Sequence, residues 1–309
     1  MQEIYANKSV NEADNKIDPR ELFNVLWQGK WIIVSFTAFL SIIGVVYSLL
    51  LPNIYESRAL LVPASTSSGI SGALGNYSGL AGLAGINLPA SADGGNSRKA
   101  ISKISSLSFF ENNIMPNIYL PHLMAIKSWN SRTNAVIFDN KIYDKSSNTW
   151  ISGYSPSAQE SFKVFKSKLS LSEDKMTGFI TLSIKHQSPF VAKQWAELVV
   201  SEINGFYRQK DKAESERAIS YLNKQISSTG FSEIKQAIAQ LIQGETKKLT
   251  IMEASKSYVF DYIDPPKVME KKSEPARALI CILSALLGGF LSIFAVLLRH
   301  YYLLSAKII

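Results

Sequence analysis

The chain has 309 residues, a formal net charge of +8 at pH 7 and one cysteine. That length leaves room for one sizeable folded domain besides any membrane spans, and the scattered basic residues do not indicate a nucleic-acid-binding protein. The lone cysteine, Cys281, excludes an intrachain disulfide and a thiolate metal cluster, and the three histidines lie far apart in the sequence, so we expect no metal and no other cofactor.

Both ends of the chain carry long apolar runs. Residues 31–51 and 278–298 each contain 21 residues without a charged side chain. Roughly 20 apolar residues in a helix cross the bilayer hydrocarbon, so we predict transmembrane helices over both runs, with tails at 1–30 and 299–309. Buried helices of a large soluble protein are the alternative, which is disfavoured because such helices usually carry a polar stripe. The flanking positive charges are nearly balanced, so charge alone leaves the topology open.

The segments around the first apolar run have distinct patterns. Residues 1–17 are polar, which predicts disorder, and an amphipathic turn follows in which Trp27 and Trp31 suit the membrane interface. Residues 55–62 alternate as in a strand.

Residues 63–97 are rich in glycine, which occurs at positions 69, 72, 75, 79, 82, 85, 94 and 95. Apolar residues interleave at roughly helical spacing, but each glycine costs a helix about 1 kcal/mol relative to alanine. Two interpretations stay open: a mobile loop near the membrane or a neighbouring subunit, and a plain flexible linker. No Gly-Lys-Ser/Thr follows, so these glycines do not form a phosphate-binding loop.

The next stretch predicts a mixture of helices and short strands. Helical and alternating patterns follow one another, and we predict helices over 97–115 and 157–168 and strands over 136–138, 141–143 and 149–151. Residues 169–172 and 179–186 both alternate and are joined by a tight connection, which predicts a β-hairpin.

A long amphipathic helix follows. Ser188 suits the cap position and Pro189 the first turn. Apolar residues then recur every three or four positions up to Gly230, which gives about 40 residues or ~60 Å of helix. A second apolar stripe over 234–252 runs back along the first, so we predict a helical hairpin over 188–255.

Residues 210–217 of the long helix are almost wholly charged or small. A helical stretch with so few apolar side chains either packs on another chain or is exposed to solvent on all sides. Of these two interpretations we favour packing on another chain. Glu214, Glu216 and Arg217 are therefore candidate inter-subunit positions.

Residues 257–263 predict a last strand, ended by Asp264-Pro265-Pro266, which makes the fold class α+β. In the second apolar run Ser284, Gly288 and Ser292 lie four apart. Small residues at that spacing let membrane helices approach closely. The alternative interpretation is that small residues are simply tolerated in lipid and have no packing role.

Several stretches carry a resemblance to a known family. In chain order they are Ile17-Asp-Pro-Arg-Glu-Leu-Phe-Asn-Val-Leu-Trp-Gln-Gly-Lys-Trp, Leu51-Pro-Asn-Ile-Tyr-Glu-Ser-Arg-Ala, Thr177-Gly-Phe-Ile-Thr-Leu-Ser-Ile-Lys-His-Gln-Ser-Pro, Tyr258-Val-Phe-Asp-Tyr-Ile-Asp-Pro-Pro and Pro275-Ala-Arg-Ala-Leu-Ile. Their order and the paired apolar runs resemble the Wzz-type polysaccharide co-polymerases, the family of O-antigen chain length determinants.

The resemblance implies cytoplasmic tails and a periplasmic domain over 52–277, in the bacterial inner membrane. An α/β base by the membrane, mainly 55–187 and 256–266, would carry the projecting hairpin. The implied assembly is a homo-oligomeric ring of about eight subunits, with a Wzy-type polymerase, lipid-linked polysaccharide and membrane lipid as partners. The implied oligomerisation or membrane motif comprises Pro275, Arg277, Ser284, Gly288, Gly289 and Ser292.

The leading functional hypothesis is a non-enzymatic regulator of O-antigen-type lipopolysaccharide chain length. The sequence shows no legible set of nucleophile, base and orienting group, and Glu214 and Glu216 lie on a solvated helix, unlike the carboxylate pair of a glycosidase. Two alternatives stay open: a two-span adaptor for capsule or exopolysaccharide export, and a co-polymerase working with a separate tyrosine kinase. A two-span sensory receptor is disfavoured because no signalling domain follows the second run.

Overall fold

The computed structural model describes residues 19–64, 93–153 and 155–305, which combine helices with antiparallel strands and confirm the α+β fold class. The helices are α1 (Pro19–Gln28), α2 (Lys30–Leu50), α3 (Asp93–Ile104), α4 (Leu107–Phe109), α5 (Leu120–Met124), α6 (Ala158–Lys168), α7 (Pro189–Ser228), α8 (Ser232–Ala254) and α9 (Arg277–Ser305). The strands are β1 (Tyr55–Pro63), β2 (Ile126–Asn130), β3 (Ala135–Phe138), β4 (Tyr143–Asp144), β5 (Thr149–Trp150), β6 (Leu169–Glu173), β7 (Ile180–His186) and β8 (Phe260–Asp264). The polar tail at 1–17 and the glycine-rich residues 65–92 lie outside the described residues.

Two compact units divide the chain. The terminal unit comprises residues 1–51 and 275–309, and the central unit comprises residues 52–274.

The terminal unit contains both apolar helices. Lys30–Leu50 and Arg277–His300 are long and apolar enough to cross a membrane, with mean hydropathies of 2.3 and 2.6. Only 11% and 17% of their most apolar windows are buried inside the protein, whereas the core helix of a soluble protein would be mostly buried. The exposed apolar surface therefore favours helices that face lipid.

The central unit is built on a four-stranded antiparallel sheet in the order β6-β7-β1-β8. Ala59 of β1 lies opposite Leu182 of β7, and Leu61 lies opposite Ile180. All four side chains are fully buried, and α7 packs against these two strands. Because side chains alternate along a strand, these four side chains lie on the same face of the sheet. Each large side chain buried there contributes about 1.5–3 kcal/mol relative to exposure.

The predicted β-hairpin and long helices are confirmed. β6 pairs with β7 in antiparallel register. α7 is 40 residues long and begins where its sequence signals place it, since the Ser188 side chain accepts a hydrogen bond from the backbone N–H of Val191. α8 has 23 residues and packs back along α7. The predicted helix at 157–168 is also confirmed, with a capping box formed by Ser157 and Glu160.

The single helix predicted over 97–115 is wrong, because the chain breaks at Ser106. This residue has extended backbone angles, φ −98 and ψ 145, and its hydroxyl accepts a hydrogen bond from the N–H of Phe109 at 3.3 Å. Serine hydroxyls compete with the helix for backbone groups, so a new helical stretch starts here. It continues through a π turn at Phe110–Ile114 and a 3-10 turn at Met115–Asn117.

The short strands form a small lobe with its own core of Ala125, Phe138 and Tyr143. β3 agrees with the predicted strand, but the strands predicted over 141–143 and 149–151 reduce to the two-residue pair of β4 and β5. β2, which pairs with β3, is not anticipated by the sequence. The strand predicted over 257–263 begins later, at Phe260, because side chains of α7 hold the backbone before it.

Candidate functional site

In the terminal unit, small residues bring α2 and α9 into close contact. A Cβ atom placed on Gly288 would lie 3.1 Å from Cα of Thr37 and 3.2 Å from Cβ of Leu40. A Cβ atom on Gly44 would collide with the Ser284 hydroxyl and lie 2.5 Å from its Cβ. Both approaches are too close for a larger residue, so glycine permits the backbones to come together.

The other predicted motif residues surround this contact. Ser292 is fully buried, with its Oγ 3.5 Å from Oγ1 of Thr37, and it donates a hydrogen bond to the carbonyl of Gly289. A Cβ atom on Gly289 would meet only Oγ1 of Thr37, at 4.0 Å. Pro275 and Arg277 lie at the start of α9, where the N–H of Arg277 donates to the carbonyl of Pro275 at 2.9 Å.

The structure thus brings Ser284, Gly288 and Ser292 together on one face of α9, packed on the first apolar helix of the same chain. A role of this face between subunits stays a prediction. Gly44 and Thr37, the partners on α2, carry no signal in the sequence beyond being small residues in an apolar run.

In the central unit, side chains of α7 join the helical hairpin to the sheet. The Asn204 amide donates to the carbonyl of Phe260 at 2.9 Å, and its oxygen accepts from the N–H groups of Val259 at 2.8 Å and Phe260 at 2.9 Å. Arg208 donates to the carbonyls of Ser255 at 2.7 Å and Lys256 at 3.0 Å. These bonds fix where the chain leaves α8 and enters β8.

Two further contacts continue along the same side of α7. Asp211 accepts a hydrogen bond from the Tyr258 hydroxyl at 2.6 Å. Burial, together with this carboxylate, raises the pKa of Tyr258 well above its usual value, so the phenol stays protonated and keeps donating. Lys212 pairs with Glu253 of α8 at 2.5 Å, an exposed pair that ties the two helices together.

A buried histidine sets the start of α7. Nδ1 of His186 accepts from the N–H of Ser188 at 2.9 Å, so its Nε2 carries the proton and donates to the His122 carbonyl, also at 2.9 Å. Burial lowers the pKa of His186 to about 4, helped by nearby Lys168. The ring is therefore neutral at pH 7 and holds the strand end of β7 against the helix cap.

The predicted inter-subunit positions lie in the exposed middle of α7. Glu214, Glu216 and Arg217 are all exposed, and Ser215 between them is buried. The Arg217 guanidinium donates to the carbonyl of Ala213 in its own helix.

Beside these positions lies an open groove of about 810 Å³ between α7 and α8. It is lined by Glu216, Ile219, Ser220, Asn223, Lys224, Ser227 and Leu249. Its hydroxyl, amide, carboxylate and ammonium groups can form hydrogen bonds with a polar polymer.

The far half of the hairpin also exposes large apolar side chains. Tyr221 is 62% exposed, Phe231 70% and Leu241 59%. Exposed side chains of this size are available for packing on a partner.

The fold and the paired apolar helices define a two-span membrane protein with an α+β unit between its spans. A family model described as Wzz, chain length determinant protein, matches residues 15–112, which include the first apolar helix and β1. The match covers 98 of the 309 residues and confirms, over that part of the chain, the resemblance to the Wzz-type polysaccharide co-polymerases. None of the curated proteins compared with the chain matches it significantly.

Two solved structures are similar to the chain at low sequence identity. One, described as a full-length bacterial polysaccharide co-polymerase, is 14% identical with a TM-score of 0.42, covering 92% of this chain and 98% of that one. The other is a fragment of WzzB, a polysaccharide co-polymerase from Salmonella Typhimurium, 12% identical with a TM-score of 0.30, covering 72% of this chain and all 100% of the fragment. The resemblance to the family rests on the family model over residues 15–112.

Proposed function

We propose that this protein regulates the chain length of an O-antigen-type surface polysaccharide without catalysing a reaction itself. It acts as an oligomeric scaffold in the bacterial inner membrane and works with a Wzy-type polymerase on lipid-linked polysaccharide. The match of residues 15–112 to the chain length determinant family carries this proposal. The tails at 1–30 and 299–309 are cytoplasmic, and residues 52–277 are periplasmic.

The helical hairpin supports the scaffold part of the proposal. α7 extends over 40 residues, and its exposed apolar and charged side chains are not part of the buried core. Neighbouring copies that pack side by side would bury Tyr221 and Leu241 and place Glu214 and Arg217 at the contact. Identical subunits joined through two different faces form a ring where the rotation between them closes. The family resemblance implies about eight copies.

The groove on the hairpin supports the link to a glycan. Its lining alternates hydrogen-bonding groups with the apolar side chains of Ile219 and Leu249. Sugar rings offer both hydroxyl groups and apolar faces, so this mixture of side chains suits a groove that binds a polysaccharide and lets it move along the hairpin without cleaving it. Glu216 and Lys224 would contact the polymer by hydrogen bonds.

A gel of surface polysaccharide from cells with and without the gene tests the proposal. We expect the mutant cells to display polymer with an altered length distribution, and the wild-type gene to restore it. Polymer trapped inside the cell would instead support an export adaptor, and an unchanged length profile would reject the regulatory role. The variant Lys224→Gln should shift the profile, whereas Lys175→Gln, on the exposed turn between β6 and β7, should not.

A further inference from the structure

Three aromatic side chains from distant parts of the sequence meet on the surface of the central unit. The ring of Trp129 on β2 lies edge-on to Tyr55 on β1, with 5.3 Å between centroids, and 6.3 Å from Phe190 in the first turn of α7. Phe190 is 46% exposed, and the other two rings are partly exposed. We call these three residues the aromatic patch.

The polar tip of Trp129 is directed to a water-accessible group. The indole N–H of Trp129 donates to the exposed side chain of Asn134 at 3.0 Å. Tryptophan and tyrosine combine an apolar ring with a polar tip, and for this reason they concentrate where membrane hydrocarbon meets water.

The covalent chain keeps the aromatic patch within reach of the bilayer. Tyr55 follows Leu50, the last residue of α2, by five positions, and five extended residues span at most about 18 Å. The return connection ends at the same place, because the N–H groups of Ser273 and Glu274 both donate to the carbonyl of Ile54, at 2.8 and 3.2 Å. Both apolar helices are therefore tethered to the residue next to Tyr55.

Basic side chains lie in the segment that is hydrogen-bonded to Ile54, the neighbour of Tyr55. Residues 267–274 run beside the start of β1, where Ser57 donates to the carbonyl of Lys267 and Lys272 donates to Asn53. Lys271 lies in the same segment and is exposed. The carboxylate of Glu274 is already paired with Lys185 at 2.5 Å. Clustered lysines beside a membrane span attract anionic lipid headgroups.

The same segment exposes apolar side chains that a sugar or an aqueous polymer would not require. Val268 is 37% exposed and Met269 is 43% exposed. Apolar side chains next to lysines are typical of segments that lie in the headgroup region. The short covalent connections to both apolar helices, the lysines and these exposed apolar side chains together favour lipid rather than a glycan as the binding partner of the aromatic patch.

We propose that Tyr55, Trp129 and Phe190, with Lys271 and Lys272 beside them, insert into the interface of an anionic phospholipid membrane. The aromatic patch then acts as a third attachment of the protein to the bilayer, besides its two apolar helices, and limits rocking of the helical hairpin. This inference is independent of the polysaccharide role, so either can fail without the other.

Fluorescence of the full-length protein in nanodiscs tests the proposal. The discs contain phosphatidylglycerol and phosphatidylcholine, with or without bromine, a short-range quencher, near the headgroup end of the acyl chains. The protein has five tryptophans, so Trp129 is isolated as the difference in emission between wild type and Trp129→Phe. Trp150→Phe is the matched control, because Trp150 is also partly exposed and lies in the same small lobe.

We expect brominated lipid to reduce the emission of Trp129, measured as the difference between wild type and Trp129→Phe, by about half or more. The emission of Trp150, measured in the same way with Trp150→Phe, should be nearly unchanged. Replacing both Lys271 and Lys272 by glutamine should weaken this quenching in discs that contain phosphatidylglycerol. Equal quenching of the two differences would overturn the proposal. A Trp129 emission that brominated lipid does not quench would also overturn it if the residue is protected from iodide, a water-soluble quencher, by another partner. Protection by added polysaccharide would identify a glycan as the occupant, and protection at higher protein concentration would identify a second copy of the chain. Unchanged size-exclusion profiles show that the variants have folded.

Discussion

At the scale of single residues, Asn204 shows how the helical hairpin is held in a fixed position against the sheet. Its side chain pairs with the backbone before β8 through one donor and one acceptor. An amide offers both to the strand, whereas a carboxylate has acceptors alone. No local pattern in the sequence marks this position, because the bonds join residues more than fifty positions apart. Its importance follows only from the tertiary structure.

His186 gives the central unit a pH dependence. Its pKa of about 4 in the folded protein lies below the ordinary value of 6.5, so the unfolded chain binds a proton more readily. Stability is therefore retained in full above pH 6.5 and is lost as the pH falls towards 4. Burial also lowers the pKa of His122, followed by the effect of Lys145, and this acts in the same direction.

We expect a change from pH 7 to pH 5 to lower the free energy of unfolding by about 2 kcal/mol through His186. The variant His186→Asn should be less stable at pH 7, because the ring and its packing are lost, but its stability should change less over this range. Thermal unfolding of the purified protein in detergent at several pH values measures both slopes. Parallel slopes for wild type and variant would contradict the assignment to His186.

At the scale of elements, the small residues of α9 raise the question of which helix they contact. The four-residue spacing of Ser284, Gly288 and Ser292 predicts close approach to another helix, and the structure provides one, α2 of the same chain. The hydroxyls of Thr37 and Ser292 are 3.5 Å apart across this contact. Cysteines at these two positions would be close enough to form a disulfide.

We expect Thr37→Cys with Ser292→Cys, in a Cys281→Ser background, to form a disulfide within one chain. Denaturing gels without reductant should show a faster-migrating monomer band, and bands of covalent dimers would show that the face joins subunits instead. Adding Gly288→Ala should slow the cross-link, since the added Cβ would lie 3.1 Å from Cα of Thr37 and would push the two helices apart. Gly289→Ala, one residue along, would make only an ordinary van der Waals contact at 4.0 Å and should leave the rate unchanged.

The sequence predicts elements well where a pattern runs long enough. The two apolar runs are long and free of charge, the 40-residue helix repeats one period many times, and the two strands of the hairpin both alternate beside a tight turn; the structure agrees with all of them. The break at Ser106 is missed because a hydroxyl that caps a helix leaves no periodic signal, and β2 is missed because its sequence, Ile126-Lys-Ser-Trp-Asn, does not alternate.

Candidate surfaces are predicted less completely than elements. Helical spacing identifies the face that carries Gly288, but not the partner of that face, because the partner is set by packing between segments more than 240 residues apart. The aromatic patch is absent from any sequence pattern for the same reason, since Tyr55, Trp129 and Phe190 meet only in the fold.

At the scale of the whole molecule, the proposed function depends on which side of the membrane the central unit occupies. Two spans place both termini on one side and the central unit on the other, whatever the orientation. The flanking charges do not choose between the two orientations. Accessibility of single cysteines does choose, because Cys281 is the sole native cysteine and can be replaced by serine.

We expect a cysteine at Met176, which is 95% exposed between β6 and β7, to react with a membrane-impermeant maleimide once only the outer membrane is permeabilised. A cysteine at Asn24, exposed on α1, should react only after the inner membrane is broken, because the N-terminal tail is proposed to lie in the cytoplasm. Labelling of both positions after complete lysis controls for reactivity. The reverse order of labelling would place the hairpin in the cytoplasm and would contradict the proposed periplasmic location of residues 52–277.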